Sequence, residues 1–258
     1  MIGILYFLVI IAANTIGAVS GMGGGVIIKP VLDFIGYHSV AAISFYSTVA
    51  VFTMSISSTV RQLKSGQKIR FDIVLWVSSG AIAGGIVGNL LFEQLLRFFD
   101  DETTVQFLQI ILTIASLIFA FLYTRNIWKG FQLSSFFSYL VCGLILGFLA
   151  SFLGIGGGPI NVSLLMLMFH FKIKEAVIYS ICTIFFSQLA KLVSIFLGSG
   201  FAQFDLSMLL YIVPAALLGG VLGAYLSKFL SSEKVTFVFQ GVILLVLAIN
   251  IYNAVNLI

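Results

Sequence analysis

The sequence predicts an all-α polytopic membrane protein built from two inverted-topology repeats, each with three spanning helices plus a glycine-broken helical hairpin. Three observations carry that expectation: an apolar composition, a glycine motif that occurs twice at one offset, and basic residues gathered into a subset of the loops. Of 258 residues, 60% are hydrophobic and 9% charged, with a mean hydropathy of +1.17. A soluble domain carries about 25% charged residues, and apolar runs of about 20 residues suit spanning helices. The net charge of +4 does not point to nucleic acid, because no basic patch is interleaved with polar or aromatic readout groups.

The first apolar run, about 2–36, has no positive residue in Met1 to Phe7, so it reads as a retained helix rather than a cleaved leader. It is broken by Gly21-Met22-Gly23-Gly24-Gly25. A helix interior loses about 1 kcal/mol per glycine relative to alanine, and four in five positions stop the helix. The orphaned backbone groups cannot be satisfied by lipid, so the break should face protein, water or a ligand. Runs at about 39–61, 71–96 and 104–125 complete a first half, residues 1–130.

The second half, residues 131–258, repeats this plan with runs at about 133–171, 175–197, 205–229 and 235–255. Its first run is broken by Gly154-Ile155-Gly156-Gly157-Gly158, 133 residues after the first break. The same offset pairs Tyr46-Ser47 with Tyr179-Ser180 and Phe71-Asp72 with Phe204-Asp205. Gly84, Gly85 and Gly88 match Gly219, Gly220 and Gly223 at 135. Such recurrence identifies two homologous halves in one membrane domain.

Charge sets the expected topology. Ten of the thirteen basic residues lie at 61–70, 125–129, 172–174 and 228–234, which the positive-inside rule places in the cytoplasm. The acidic loop Asp100-Asp101-Glu102 and the uncharged stretch 198–204 can lie outside. The run 133–171 then starts and ends inside, whereas 2–36 starts and ends outside, so the halves are inverted and both termini are extracytoplasmic. The two breaks enter from opposite sides and can meet near mid-membrane, the architecture of secondary transporters.

Gly17-x-x-x-Gly21-x-Gly23-Gly24-Gly25 and Gly154-x-Gly156-Gly157-Gly158-Pro159, opening two similar halves, resemble the TauE/SafE sulfite exporter family, also called the toluene sulfonate uptake permeases. The resemblance covers nearly the whole chain. It implies a bacterial or archaeal inner-membrane carrier of a small sulfur-containing anion: sulfite, thiosulfate, a sulfonate or a sulfoacetate-like acid. Pro30 has no counterpart at Ser163, nor Pro159 at Val26, so the two breaks need not act equally.

The residues themselves suggest how an anion is held. N–H groups at the helix starts after Gly25 and Gly158 carry about half a positive charge each, and glycine lets an anion approach them closely. Pro159 suits a first helical position. The competing reading of the glycines is close helix packing, which is the reading adopted for Gly84-Gly85-x-x-Gly88 and its copy. Lys29 and Lys191 are the two basic residues away from membrane edges. Each is a candidate counter-charge for the substrate, against an ion pair with Asp33 for Lys29 and snorkelling for Lys191. Ser187 and Gln188 add polar groups to an apolar rod, as do Ser44, Ser47, Thr48, Ser55, Ser180 and Thr183. The candidate substrate-binding set is therefore Gly23, Gly24, Gly25, Lys29, Gly156, Gly157, Gly158, Pro159, Ser187, Gln188 and Lys191. Tyr46 and Tyr179 recur by repeat as gate or packing residues. His38 and His170 read as structural or interfacial, and Asp72 and Asp205 as helix-start carboxylates.

No catalytic residue, metal site or cofactor is expected. Cys142 and Cys182 lack metal-type spacing and read as packed thiols. A serine hydrolase built on Ser20 with His38 or His170 lacks anything to orient the base. No GxxxxGK[ST] loop is present, so direct ATP drive within this chain is not expected. The expected partners are a small anionic substrate, a coupling proton or sodium ion, and the lipid bilayer. A passive anion channel and a carrier of a small carboxylate are the alternatives, and saturable counterflow separates carrier from channel.

Overall fold

A computed structural model describes residues 2–64, 70–99, 102–125 and 130–257. Lys68, Lys129, Asp100 and Asp101, which carry part of the topology expectation, lie outside the described residues. The described residues form ten α-helices and no strand. In the first half these are α1 (Ile2–Ser20), α2 (Gly25–Ile35), α3 (Val40–Lys64), α4 (Phe71–Phe98) and α5 (Glu102–Thr124). In the second they are α6 (Phe136–Phe152), α7 (Pro159–Phe169), α8 (Ile173–Leu197), α9 (Leu209–Phe229) and α10 (Ser232–Leu257), with a 3₁₀ turn at Leu206–Met208 before α9.

Among the described residues, seven helices are long and apolar enough to cross a membrane: α1, α3, α4, α5, α8, α10, and α9 together with its leading 3₁₀ turn. The helices α6, α2 and α7 are shorter, with 17, 11 and 11 residues. Each glycine break thus divides its run into a longer first arm and an 11-residue second arm. Both second arms end in a left-handed residue, Gly36 (φ 64°) and His170 (φ 57°), whose N–H closes the last turn on the Leu32 and Met166 carbonyls.

Helix pairings recur when the halves are exchanged: α4 packs on α6 as α9 does on α1, α3 on α9 as α8 on α4, and α5 on α7 as α10 on α2. Small residues explain the tightest of these. A Cβ added at Gly80, Gly84 or Gly88 of α4 would overlap the backbone carbonyls of Leu140, Leu144 and Phe148 on α6. Gly219 and Gly223 of α9 stand against Ile11 and Thr15 of α1, and Gly220 against Met54 of α3. The Gly84-Gly85-x-x-Gly88 motif and its copy are packing surfaces, where missing side chains let backbones touch.

Helices α3 and α8 run antiparallel. The start of α3 lies at the end of α8, with Phe45 stacked on Phe204 (4.3 Å between centroids) and Lys191 bonded to Ser44. Near their middles, Phe52 stacks on Phe185, its counterpart at the repeat offset, at 5.4 Å and 20°. Tyr46 and Tyr179 tie the halves together reciprocally: Tyr46 Oη donates to the Asp205 carbonyl at 3.1 Å, and Tyr179 Oη accepts from the Arg70 N–H at 3.2 Å.

Candidate functional site

The breaks take their shape from glycine at matched positions. Gly21 and Gly154 have φ of 74° and 67°, and Gly23 and Gly156 have 75° and 65°, a left-handed conformation that costs other L-residues roughly 1–2 kcal/mol. The loops then diverge. Gly24 is right-handed helical and caps α2, whereas Gly157 and Gly158 both hold φ near 132° before Pro159 opens α7. Pro159 therefore occupies the first helical position, where its missing N–H leaves no bond unmade. The N–H groups of Ile27 and Ile28 both close on the Gly24 carbonyl, and that of Asn161 on Gly158. The N–H groups ahead of them have no acceptor within their own helices.

The two breaks meet. A Cβ at Gly25 would overlap the Ile155 carbonyl, and one at Gly157 would lie 3.1 Å from the Met22 oxygen. One at Gly23 would lie 3.2 Å from the Gly156 oxygen. Val51 and Ile184, equivalent under the repeat, pack against these glycines and join Ala18 and Met54 in a small buried apolar cluster. The contact surface of the two breaks is therefore backbone and aliphatic side chain.

Polar groups ring that contact. Ser180 Oγ donates to the Gly21 carbonyl at 2.5 Å, while its counterpart Ser47, beside Gly25, has no partner among the described residues. Ser187 donates to the Ile184 carbonyl, and Gln188 Nε2 reaches Ser187 Oγ at 3.4 Å with its Oε1 unpartnered. Two asparagines not singled out in the sequence belong here. Asn14 of α1 donates to the Ala50 carbonyl and lays its unpartnered Oδ1 against Gly24. Asn161, in the first turn of α7, is fully buried with neither amide atom partnered. Each is a lone amide in an apolar arm flanking a break, a legible signal in hindsight.

The lysines differ in kind. Lys29 pairs with Asp33 at 2.8 Å, both side chains about 3% exposed, so its charge is matched within α2. Lys191 is fully buried, and snorkelling does not describe it. Its Nζ donates to Ser44 Oγ at 2.8 Å and the Ser151 carbonyl at 2.7 Å, and lies 5.3 Å from the Phe92 ring centroid. Among the described residues no carboxylate lies within ion-pair distance of it. Both lysines border the second break: a Cβ at Gly154 would lie 2.6 Å from Ser44 Oγ and 3.3 Å from Lys29 Cε. Lys191 also forms part of a cavity of about 190 Å³ whose wall includes Ser44, Asn89, Glu93, Arg97 and Gln203. Glu93 and Asn89, bonded to each other at 2.9 Å, were not foreseen as part of any site.

Tyr46 flanks this cavity through its neighbour Phe45, and also packs edge-on to His38 and Tyr6. His38 Nδ1 is bonded to Tyr6 Oη at 2.8 Å, and burial pushes its pKa down despite the attraction of Asp205. Asp205 accepts from the Ser207 N–H, and hydrogen bonding from the Ser207 hydroxyl and then from that N–H holds its carboxyl below the usual range. Asp72 instead pairs with exposed Arg70 at 2.6 Å. Ser20 Oγ donates to the Ile16 carbonyl, and both cysteines are buried free thiols.

Comparison with known proteins gives the family of the chain. Residues 6–251 match the family model described as "Sulfite exporter TauE/SafE". The chain is 26% identical to probable membrane transporter protein YunE of Bacillus subtilis, over 94% of this chain and 95% of that one. It is 27% identical to probable membrane transporter protein MJ0441 of Methanocaldococcus jannaschii, over 69% of this chain and 67% of that one. No solved structure matches. With seven helices able to cross a membrane and a family match over nearly its whole length, the chain is a membrane transporter and belongs to the TauE/SafE sulfite exporter family.

Proposed function

We propose that this chain is a secondary transporter that carries a small sulfur-containing anion across the inner membrane. The observation that carries this reading is Lys191, a fully buried amine beside the second glycine break with no carboxylate within ion-pair distance among the described residues, Glu93 of the same cavity wall being bonded to Asn89. An intramembrane cation of this kind is expensive, and a substrate anion supplies the missing counter-charge. The first turn of α7, with Gly157, Gly158 and Asn161, adds backbone and amide donors, and the dipoles at the starts of α2 and α7 suit a negative ligand. Gly23–Gly25, Ser187 and Gln188 complete the lining on this reading, and Lys29 lends its field from beside Gly154. Sulfite is the substrate that the family description names, and thiosulfate and sulfonates share its oxyanion chemistry.

The same reading takes the two halves as inverted repeats with both termini outside the cytoplasm. The antiparallel course of α3 and α8, together with the reciprocal Tyr46 and Tyr179 bonds, supports the inversion. Tyr46 and Tyr179 then sit where a gate would hinge, each tying one half to the first helix beyond the loop of the other.

The test is counterflow in proteoliposomes loaded in turn with sulfite, thiosulfate, methanesulfonate, sulfoacetate and acetate. Saturable exchange of a sulfur oxyanion, lost in Lys191→Gln, is the expected result. Linear, non-saturating flux would make the protein a channel, and acetate exchange alone would make it a carboxylate carrier.

A further inference from the structure

A second cavity, of about 640 Å³, opens among α3, α8 and α9 and includes Arg61, Lys174 and Lys228 in its wall. It stands in register with the Lys191 cavity. Positions 41, 44 and 45 on α3 line the first cavity, and positions 174, 177 and 178 on α8, each 133 residues later, line the second. Positions 89, 92 and 93 on α4 correspond likewise to 224, 227 and 228 on α9, each 135 later. Six lining positions therefore recur at the two repeat offsets. The cavities lie at opposite ends of α8: Lys174 and Lys191 are separated by about 25 Å along that helix at 1.5 Å per residue.

The equivalence is one of place, not of chemistry. Ala41 is replaced by Lys174, and Glu93 by Lys228. Among the described residues the second cavity thus carries three cations and no acid in its wall. Arg61 lies 5.0 Å from the Tyr225 ring centroid, which fixes its plane while leaving its N–H edges for a ligand. None of the three cations makes an ion pair among the described residues. Like charges in a cleft with apolar walls raise the local concentration of anions by roughly 10- to 1,000-fold.

We propose that this cavity is a second anion-binding site, taking the oxyanion group of a small sulfonate-, sulfate- or phosphate-type ligand at Arg61, Lys174 and Lys228. It is the opposite-end counterpart of the Lys191 cavity, and the two are the mouths of one route. The assignment as a mouth rests on the transport reading above; the anion site does not. Exposed Ile56, Val60, Val221 and Phe229 in the same wall would equally accept acyl chain, so the oxyanion has two sources, a free solute or a lipid headgroup.

The experiment labels a cysteine placed in the wall by Ser57→Cys in the full-length reconstituted protein. The native Cys142 and Cys182 are buried and serve as the background measured on wild type. The rates of the anionic reagent methanethiosulfonate ethylsulfonate and its cationic trimethylammonium analogue are compared. Replacing Arg61, Lys174 and Lys228 together by Gln should lower the anionic-to-cationic rate ratio about tenfold, and Lys228→Gln alone, at an exposed position, should lower it by a smaller factor. Sulfate and methanesulfonate should protect the thiol beyond chloride of equal ionic strength. An unchanged ratio in both variants overturns the site. Protection that appears only when phosphatidylglycerol is added to zwitterionic vesicles, with sulfate inert, assigns the cations to a lipid headgroup and overturns the mouth. Where wild type shows counterflow, the triple variant should raise KM about tenfold from this face and leave the other face unchanged; equal effects on both faces overturn the mouth. Absence of counterflow in wild type refutes the transport reading, while the labelling ratio still decides the anion site.

Discussion

Replacing Lys191 by methionine separates a functional lysine from a structural one. Burying the ammonium costs several kcal/mol even after relaxation. Its compensation is two charge-assisted hydrogen bonds, to Ser44 and the Ser151 carbonyl, at about 1.5–3 kcal/mol each. The Phe92 ring adds up to about 2 kcal/mol. These terms cancel to within a few kcal/mol, so the charge contributes little net stability. Methionine fills similar space: the Ser151 carbonyl keeps the Gly154 N–H at 3.3 Å, while the Ser44 hydroxyl gives up the bond it accepts from the lysine. Lys191→Met should therefore shift unfolding in detergent by less than about 3 kcal/mol in either direction. Substrate binding should respond very differently. An anion left in the membrane without its cation loses about 3–5 kcal/mol, which corresponds to roughly a hundred- to several-thousand-fold in affinity. Isothermal titration with the transported anion and thermal unfolding of the same preparations measure both. A variant that loses 3 kcal/mol or more of stability, as a rough threshold, while binding with wild-type affinity would make Lys191 a structural residue and refute the reasoning.

The glycines divide into those that touch backbone and those that do not, and substitution should follow that division. Gly25→Ala drives a methyl into the Ile155 carbonyl and should prevent stable folding, whereas Gly241→Ala, with nothing within 4 Å, should stabilise α10 by about 0.5–1 kcal/mol; melting temperatures of the two variants decide this. Asn161→Leu removes a buried amide with neither atom partnered, so stability should hold or rise by about 1–3 kcal/mol while transport is lost. A loss of stability with transport intact would remove Asn161 from the site. His38 supplies a pH dependence. Because burial lowers its folded-state pKa, the unfolded chain binds its proton more readily, so full stability is present above the ordinary value of about 6.5 and declines as pH falls below it toward the folded value. Unfolding followed between about pH 7 and 5 should show that decline, and His38→Gln should flatten it.

Much of the fold was legible because it follows from apolar run length and glycine. The boundaries of α3, α4, α5, α8 and α10 fall within a few residues of the apolar runs, and the breaks fall on the two glycine clusters. The duplicated spacing also identified Tyr46 with Tyr179 as a pair, which the structure joins to Asp205 and Arg70. Less could be read of the site. Lys29 and Lys191 look alike as lone cations in apolar runs, and the sequence named both the Asp33 pair and the free lysine without deciding how closely either approaches the break. That Lys191 reaches Ser44, 147 positions away, depends on the antiparallel seating of α8 on α3, which no local pattern encodes. Asn14, Asn161 and Glu93 stood in plain sight, but an isolated polar residue in an apolar run has no periodic partner to mark its role.

The breaks and the charge answer opposing physical demands. A stopped helix in a bilayer must hide its unpaired backbone from lipid, which favours packing one break against the other. A binding site must leave such groups reachable. Here Gly23 to Gly25 and Ile155 to Gly157 are packed together with Val51 and Ile184 against them, so the contact is made by backbone and aliphatic side chain. The polar chemistry is displaced to its edge, where Ser44 stands between Lys191 and Gly154. On the transport reading, an anion arriving through the Lys191 cavity meets the Ser44 hydroxyl and the ammonium before it meets the glycines. It can replace Ser44 as the acceptor of the lysine, freeing that hydroxyl to turn toward the break. The packed breaks then part only locally to admit the anion to Gly157 and Gly158, and fully only for release toward Arg61, Lys174 and Lys228. The stacked Phe52 and Phe185, near the middles of antiparallel α3 and α8, are the side chains whose separation would report that opening.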